Sequence, residues 1–237
     1  MTEERSDGMP TGQLTRKQRQ ARTRLRLMHS ASKVFARRGL HQASIDEVAA
    51  DAGFTKGAFY ANFSSKEELF LAMLDERFAE RLREIEQQST TESEIEEMAR
   101  AAGADFIRYL AADPDWQRLF FEFATQAARD ESFRLELVAR YRALREGIAE
   151  IYRRRAEELG LKFSFSAEEV AMMTFAMANG LALERMLEPE AVGEELFGQM
   201  LVVFFAGLRT LAQEADQKQR KGTNHENVPS EPASPPL

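Results

Sequence analysis

The stretch that most constrains this chain is Ser44 to Phe63, SIDEVAADAGFTKGAFYANF. Ser44 with Glu47 three residues on is a capping box, each residue satisfying a backbone N–H at a helix start. Ile45, Val48, Ala49 and Ala52 then recur at helical spacing and make one apolar stripe. Gly53 suits a left-handed residue that ends the helix, and Thr55 can cap a second one. Two short helices about a glycine-containing turn fit a helix-turn-helix unit. In the second helix Phe59 and Phe63, four apart, point to a core. Thr55, Lys56 and the helix N-terminus suit a phosphate, and the small residues Gly57 and Ala58 permit close approach to a groove wall. The same stretch also fits a plain helical hairpin with Tyr60 as a half-buried aromatic, so its flanks must decide.

The flanks differ sharply in charge. The whole chain of 237 residues has a net charge of -7. Residues 1–63 nevertheless carry 11 Lys and Arg against 6 Asp and Glu, whereas the rest carries 21 against 33. Between Leu14 and His41 there are nine basic residues and no acidic one. A basic end on an acidic body turns one end toward a polyanion. Arg16, Lys17, Arg19, Arg22, Arg24 and Arg26 open the first helix, and phosphate contact or a solvated charge run both fit them. Leu25, Met28, Ala31 and Phe35 form that helix's expected core stripe, from about Arg22 to Gly39. A further helix from Ser64 to Gln88 has two rival capping boxes, Ser64 with Glu67 and Ser65 with Glu68. Lys66 in its first turn is poorly placed for the helix dipole unless an anion lies nearby.

This run, SIDEVAADAGFTKGAFYANFSSKEELF after a helix ending near Arg38-Gly39, resembles the N-terminal domain of TetR-family transcriptional regulators over residues 20–80. The resemblance implies DNA-backbone contacts from Ser44, Thr55, Lys56, Tyr60 and Lys66. It places Gly57, Ala58 and Asn62 close to the groove, although the position of Asn62 is often histidine in that family. Arg24 joins these candidates from the basic run.

Beyond residue 90 the pattern is helical throughout. Asp113-Pro114 is a cap followed by proline at the first helical position, Gly160 ends a long helix, and Ser166 with Glu169 is a capping box. Ala176 and Gly180 permit close helix contact. The last helix, from about Val192 to Glu214, is apolar around nearly its whole circumference and must be covered on every side. Its apolar run, Leu196 to Leu208, is broken by Gln199 and reads as too short to cross a bilayer. The aromatic and methionine set Phe106, Tyr109, Trp116, Phe120, Phe123, Tyr141, Met173 and Met177 suits an apolar pocket, or simply fills a core. Gln126, Arg142, Arg145 and Asn179 are polar candidates beside it.

With no cysteine in the chain, thiolate chemistry is excluded and a cytoplasmic location is expected. Only His29, His41 and His225 are present, and no acid–base constellation or phosphate loop stands out. The expectation is therefore no enzyme, no cofactor and no metal.

The expected fold is all-α. A basic arm occupies residues 1–19, a three-helix DNA-binding head 20–65, a helical ligand-binding and dimerisation body 66–216, and a polar tail with four prolines 217–237. The expected partners are a DNA operator, a small apolar effector and a second copy of the chain, with no membrane. In a homodimer the two recognition helices would lie about 34–36 Å apart, matching a palindromic operator. The resemblance implies a repressor released by its ligand. The rival reading is a helical ligand-binding protein without specific DNA binding.

Overall fold

A computed structural model describes residues 15–89, 95–161 and 163–225. Every element among them is helical. The head comprises α1 (Arg16–Gln42), α2 (Ile45–Asp51) and α3 (Lys56–Tyr60). A long helix, α4 (Lys66–Ser89), leads into the body of α5 (Ile95–Ala112), α6 (Pro114–Ala127), α7 (Glu131–Glu158), α8 (Ala167–Leu187) and α9 (Leu196–His225).

The helix starts follow the side-chain caps. Ser44 and Ser166 make reciprocal capping boxes with Glu47 and Glu169, and Asp113 and Asp130 cap α6 and α7. At α4 the Ser65–Glu68 pair prevails. The Ser65 hydroxyl accepts from the Glu68 N–H at 3.1 Å, and the Glu68 carboxylate accepts from the Ser64 N–H at 2.7 Å. One cap escaped the sequence reading. Thr15 and Gln18 form a capping box, so α1 begins at Arg16, and residues expected to be an unstructured arm up to 19 are helical from there. Residues 1–14 lie outside the described residues. Gly39, at φ 72°, breaks the regular helix at a kink as expected, and a short helical piece beyond it runs to Gln42.

The head core gathers Leu27, Ala31, Val34, Phe35, Val48, Ala49, Phe59 and Phe63, all essentially shielded from solvent. Leu25, expected in this stripe, is instead 54% exposed. The core does not stop at the head. It runs on through Leu69, Phe70 and Leu74 of α4 into Trp116, Phe120 and Phe123 of α6 and Phe133 of α7. Two polar ties reinforce this junction. The Glu122 carboxylate accepts from the His41 N–H at 3.3 Å, and Gln126 donates to Glu67 at 3.3 Å.

In the body, α5 and α9 cross where two glycines meet. A Cβ added at Gly103 would lie 2.2 Å from the Gly198 backbone nitrogen. Gly103→Ala is therefore expected to destabilise the chain. Alanine gains about 1 kcal/mol of helix propensity, but backbone facing backbone leaves no side chain to yield, and overpacking costs about 1–3 kcal/mol. At about 2–4 °C per kcal/mol for a chain this long, the melting temperature should fall by a few degrees. An unchanged melt would show that the crossing is looser than described.

The small pair expected to make close contact, Ala176 and Gly180, is exposed, with nothing within 4 Å of a Cβ added at Gly180. Around it lies an open apolar face of α8 and α9 that includes Met172, Leu183, Leu187, Val203 and Leu211. After the turn Pro189–Ala191, α9 begins at Leu196 and extends to His225, past the boundary expected at 216. Residues 226–237 of the expected tail lie outside the described residues. The apolar run is also longer than expected. Leu196–Ala215 has a mean hydropathy of 1.4 and could cross a membrane by length and composition alone, while only 22% of it is buried within the chain.

Candidate nucleic-acid interface and ligand cavity

The turn between α2 and α3 is shaped by Gly53 at φ 72°, and the Thr55 hydroxyl accepts from the Ala58 N–H at 3.2 Å to start α3. Phe59 and Phe63 anchor one side of α3 in the head core. The opposite side is open. Ser44, Thr55, Lys56, Gly57 and Tyr60 are exposed, Tyr60 at 51%, and Ala58 is half-buried. The Lys56 ammonium pairs with Asp46 of α2 at 2.9 Å, and that carboxylate raises the lysine's pKa above its ordinary value.

Three candidates for DNA contact have other partners. Lys66 donates to the carbonyls of Leu40 and Ala43, both at 2.8 Å. It caps the end of α1, which accounts for a cation in the first turn of α4 without an outside anion. Arg24 donates to the Asn62 carbonyl, and its guanidinium lies 4.1 Å from the Phe63 ring centre. The Asn62 amide turns back to the Ala58 carbonyl at 2.8 Å. These three brace the two ends of the helix-turn-helix unit. Arg26 does the same, donating to the Ala52 carbonyl at 2.7 Å and lying over Phe54.

The body holds a cavity of about 150 Å³ between α4, α5, α6, α7, α8 and α9. Five of the eight aromatic and methionine candidates line it: Phe106, Tyr109, Trp116, Phe120 and Tyr141. The other three do not. Phe123, fully buried, sits one turn nearer the head, between Phe35, Phe70 and Phe133. Met177 packs in the α5–α9 cluster. Met173 is half-buried beside Thr174 and off the cavity wall. From α8 the wall takes Thr174, Phe175, Ala178, Asn179 and Ala182 instead.

The polar groups here are largely satisfied within the protein. Tyr152 donates to the Thr174 hydroxyl at 3.1 Å, and Asn179 donates to the Phe175 carbonyl at 3.0 Å. Burial pushes the phenols of Tyr109, Tyr141 and Tyr152 above their ordinary range, so all three stay neutral. Arg81 reaches Glu84 and Asp105 and lies against the Phe106 and Tyr109 rings. Burial opposes ionisation of Asp105, but the Arg81 guanidinium holds its pKa below the usual range. Of the remaining polar candidates, Gln126 belongs to the head junction, Arg145 lies over Phe175, and Arg142 is exposed. The sequence reading missed Arg81, Tyr152 and Thr174. A threonine on an otherwise apolar helix face was the available signal.

A family model described as bacterial regulatory proteins of the tetR family matches residues 27–73. A second, the C-terminal part of BetI-type transcriptional repressors, matches residues 95–210. The chain belongs to the TetR family of transcriptional regulators. Among TetR-family relatives it is 36% identical over 122 residues to the transcriptional activator FasR of Mycolicibacterium smegmatis, covering 51% of this chain and 56% of that one. It is 26% identical over 175 residues to the transcriptional repressor BepR of Brucella suis, covering 69% of this chain and 80% of that one. The matched stretch thus spans little more than half the length of the first curated relatives. The TetR fold is also that of the regulator FadR of Bacillus subtilis, solved in complex with stearoyl-CoA. The two share a TM-score of 0.62 at 15% identity over 75% of this chain and 95% of that one.

Proposed function

We propose that this DNA-binding regulator is a homodimeric repressor that leaves a palindromic operator when a small, largely apolar ligand occupies the body cavity. One observation carries the DNA half of this reading. The exposed side of α3 presents Thr55, Lys56 and Tyr60 on the basic head, while its other side is locked into the core by Phe59 and Phe63. Ser44, Gly57 and Ala58 complete the proposed contact set. Arg24, Asn62 and Lys66 hold that surface in shape from behind. The head is residues 15–65 and the body is the described remainder, to the end of α9 at His225.

The open apolar face of α8 and α9 favours a second copy over a bilayer. It includes Ala176 and Gly180 as well as large side chains, and small residues let two helices approach closely. The aromatic lining of the cavity supports an apolar ligand, as does the acyl thioester bound by the FadR fold neighbour. The match to BetI-type repressors supports repression, whereas the FasR relative is an activator.

Lys56→Ala tests the DNA contact. Loss of one phosphate contact should weaken binding to every sequence and lower the salt slope by about 0.9. Removal of the Asp46 pair should leave the fold intact, because both side chains are exposed and such pairs contribute about 0–1 kcal/mol. An unchanged slope in a gel-shift salt series would remove Lys56 from the contact set. No retardation of the chain's own upstream DNA by the unaltered protein would instead favour a ligand-binding protein without specific DNA binding.

A further inference from the structure

Helix α1 starts well outside the head. Every residue from 15 to 22 is exposed, and the first buried side chain is Leu27. The Thr15–Gln18 capping box nevertheless holds these turns helical. Arg16, Arg19, Arg22 and Arg26 follow at steps of three, three and four residues, which puts them on one side of the helix. From Arg16 to Arg26 is about 15 Å of helical rise.

One end of this stripe is fixed against the recognition unit. Arg26 donates to the Ala52 carbonyl and lies over Phe54, at the turn that leads into Thr55 and Lys56. Arg24, on the opposite side of α1, donates to the Asn62 carbonyl just past the end of α3. Helix α3 therefore crosses α1 at the level of residues 24–26, and the free turns of α1 project beyond it. The stripe runs without a break onto the exposed side of α3.

As it stands the stripe is electrostatically strained. Like charges three or four residues apart on a helix repel one another, and cations in a first turn oppose the helix dipole. The chain has 39 acidic residues, and arginines elsewhere take them, as Arg81 does with Asp105, Arg140 with Asp75 and Arg153 with Glu168. Among the described residues Arg16, Lys17, Arg19 and Arg22 pair with none. An external polyanion relieves both penalties. Residues 16–23 hold no large apolar side chain, so they have no face to lay into a lipid surface. A DNA backbone asks for none.

We infer that the Arg16–Arg19–Arg22 side of α1 is a second phosphate-binding surface, lying along the DNA backbone beside the groove that α3 enters. This rests on the reading that α3 enters a groove. Phosphates of one strand follow at about 3.4 Å of duplex axis, so a stripe of this length meets several. Such contacts fix affinity and register and carry no sequence information.

The test compares the full-length protein, Lys56→Ala, and a variant carrying Arg16→Gln, Arg19→Gln and Arg22→Gln together. Gel shifts on the chain's own upstream DNA and on random duplex are run from 50 to 200 mM salt. Each lost contact lowers the salt slope by about 0.9, so the triple variant's slope should fall by about 2.7. Across that range the unaltered protein should then lose about 40-fold more affinity than the variant. The preference for upstream over random DNA should stay the same. All three side chains are exposed, so helicity should survive. Lysine at the same three positions keeps the charge and should keep the slope.

An unchanged slope in the glutamine variant, with a reduced slope in Lys56→Ala, overturns the stripe and leaves the α3 contact standing. A slope lowered as much by lysine as by glutamine overturns it too, because charge is then not what acts. Loss of binding to phosphatidylglycerol vesicles in the glutamine variant, with the DNA slope unchanged, gives the stripe to a lipid surface instead. If the glutamine variant and Lys56→Ala both keep the parental slope, both readings fall.

Discussion

Phe123→Ala is expected to destabilise the protein by about 3–5 kcal/mol, the range for deleting a fully buried aromatic ring. Phe123 has no exposed surface. Its ring meets Phe35 of α1 at 6.4 Å and Phe133 of α7 at 5.7 Å between centroids, and it stacks on Phe70 of α4. Three helices thus close on one side chain of a fourth, and none can collapse into the space without dragging the head or the body. Native stability is typically about 5–15 kcal/mol, so the loss takes a large fraction of it. A urea titration gives the value directly. A midpoint within error of the unaltered protein would mean that head and body are not joined through this ring.

Val203→Asp is expected to abolish dimers and weaken operator binding by about 100-fold or more. Val203 is 73% exposed in the single chain, so the substitution removes little intrachain packing and helicity should be largely unchanged. It lies on the apolar face shared with Leu183, Leu187 and Leu211. Two-fold symmetry places a new carboxylate on both copies at once, each desolvated without a partner. Separate heads then lose the effective concentration that links two half-sites, a factor of about 10²–10⁴. Sedimentation and a gel shift measure the two effects. Persisting dimers would place the interface elsewhere, and monomers that still bind the full operator tightly would end the two-headed reading.

What the sequence could reveal depended on the range of the interaction. Caps at Ser44, Asp113 and Ser166 act within one turn, and all three were legible. The Thr15–Gln18 box is equally local, but it lies inside a basic run whose charge pattern masks it. Long side chains were harder to read. The sequence offers Arg24 and Lys66 as phosphate contacts, and it does not show that both also donate to carbonyls, those of Asn62, Leu40 and Ala43. The contact of Gly103 with Gly198 joins residues far apart in sequence, and no periodicity marks it. Trp116, Phe120 and Phe123 share one face of α6, as the spacing showed. Their different heights along the axis, cavity for the first two and head junction for the third, depend on where neighbouring helices end.

Helix α6 has only 14 residues. Trp116 and Phe120 touch the cavity, and Glu122 and Phe123 touch the kinked end of α1 and the head core. From Trp116 to Glu122 is about 9 Å of helical rise. A rod that short does not flex, so whatever leans on its inner end must swing its outer end as well. On the proposed reading that an effector fills the body cavity, stiffening or softening α6 should change how strongly the two sites feel each other without altering either one's own chemistry.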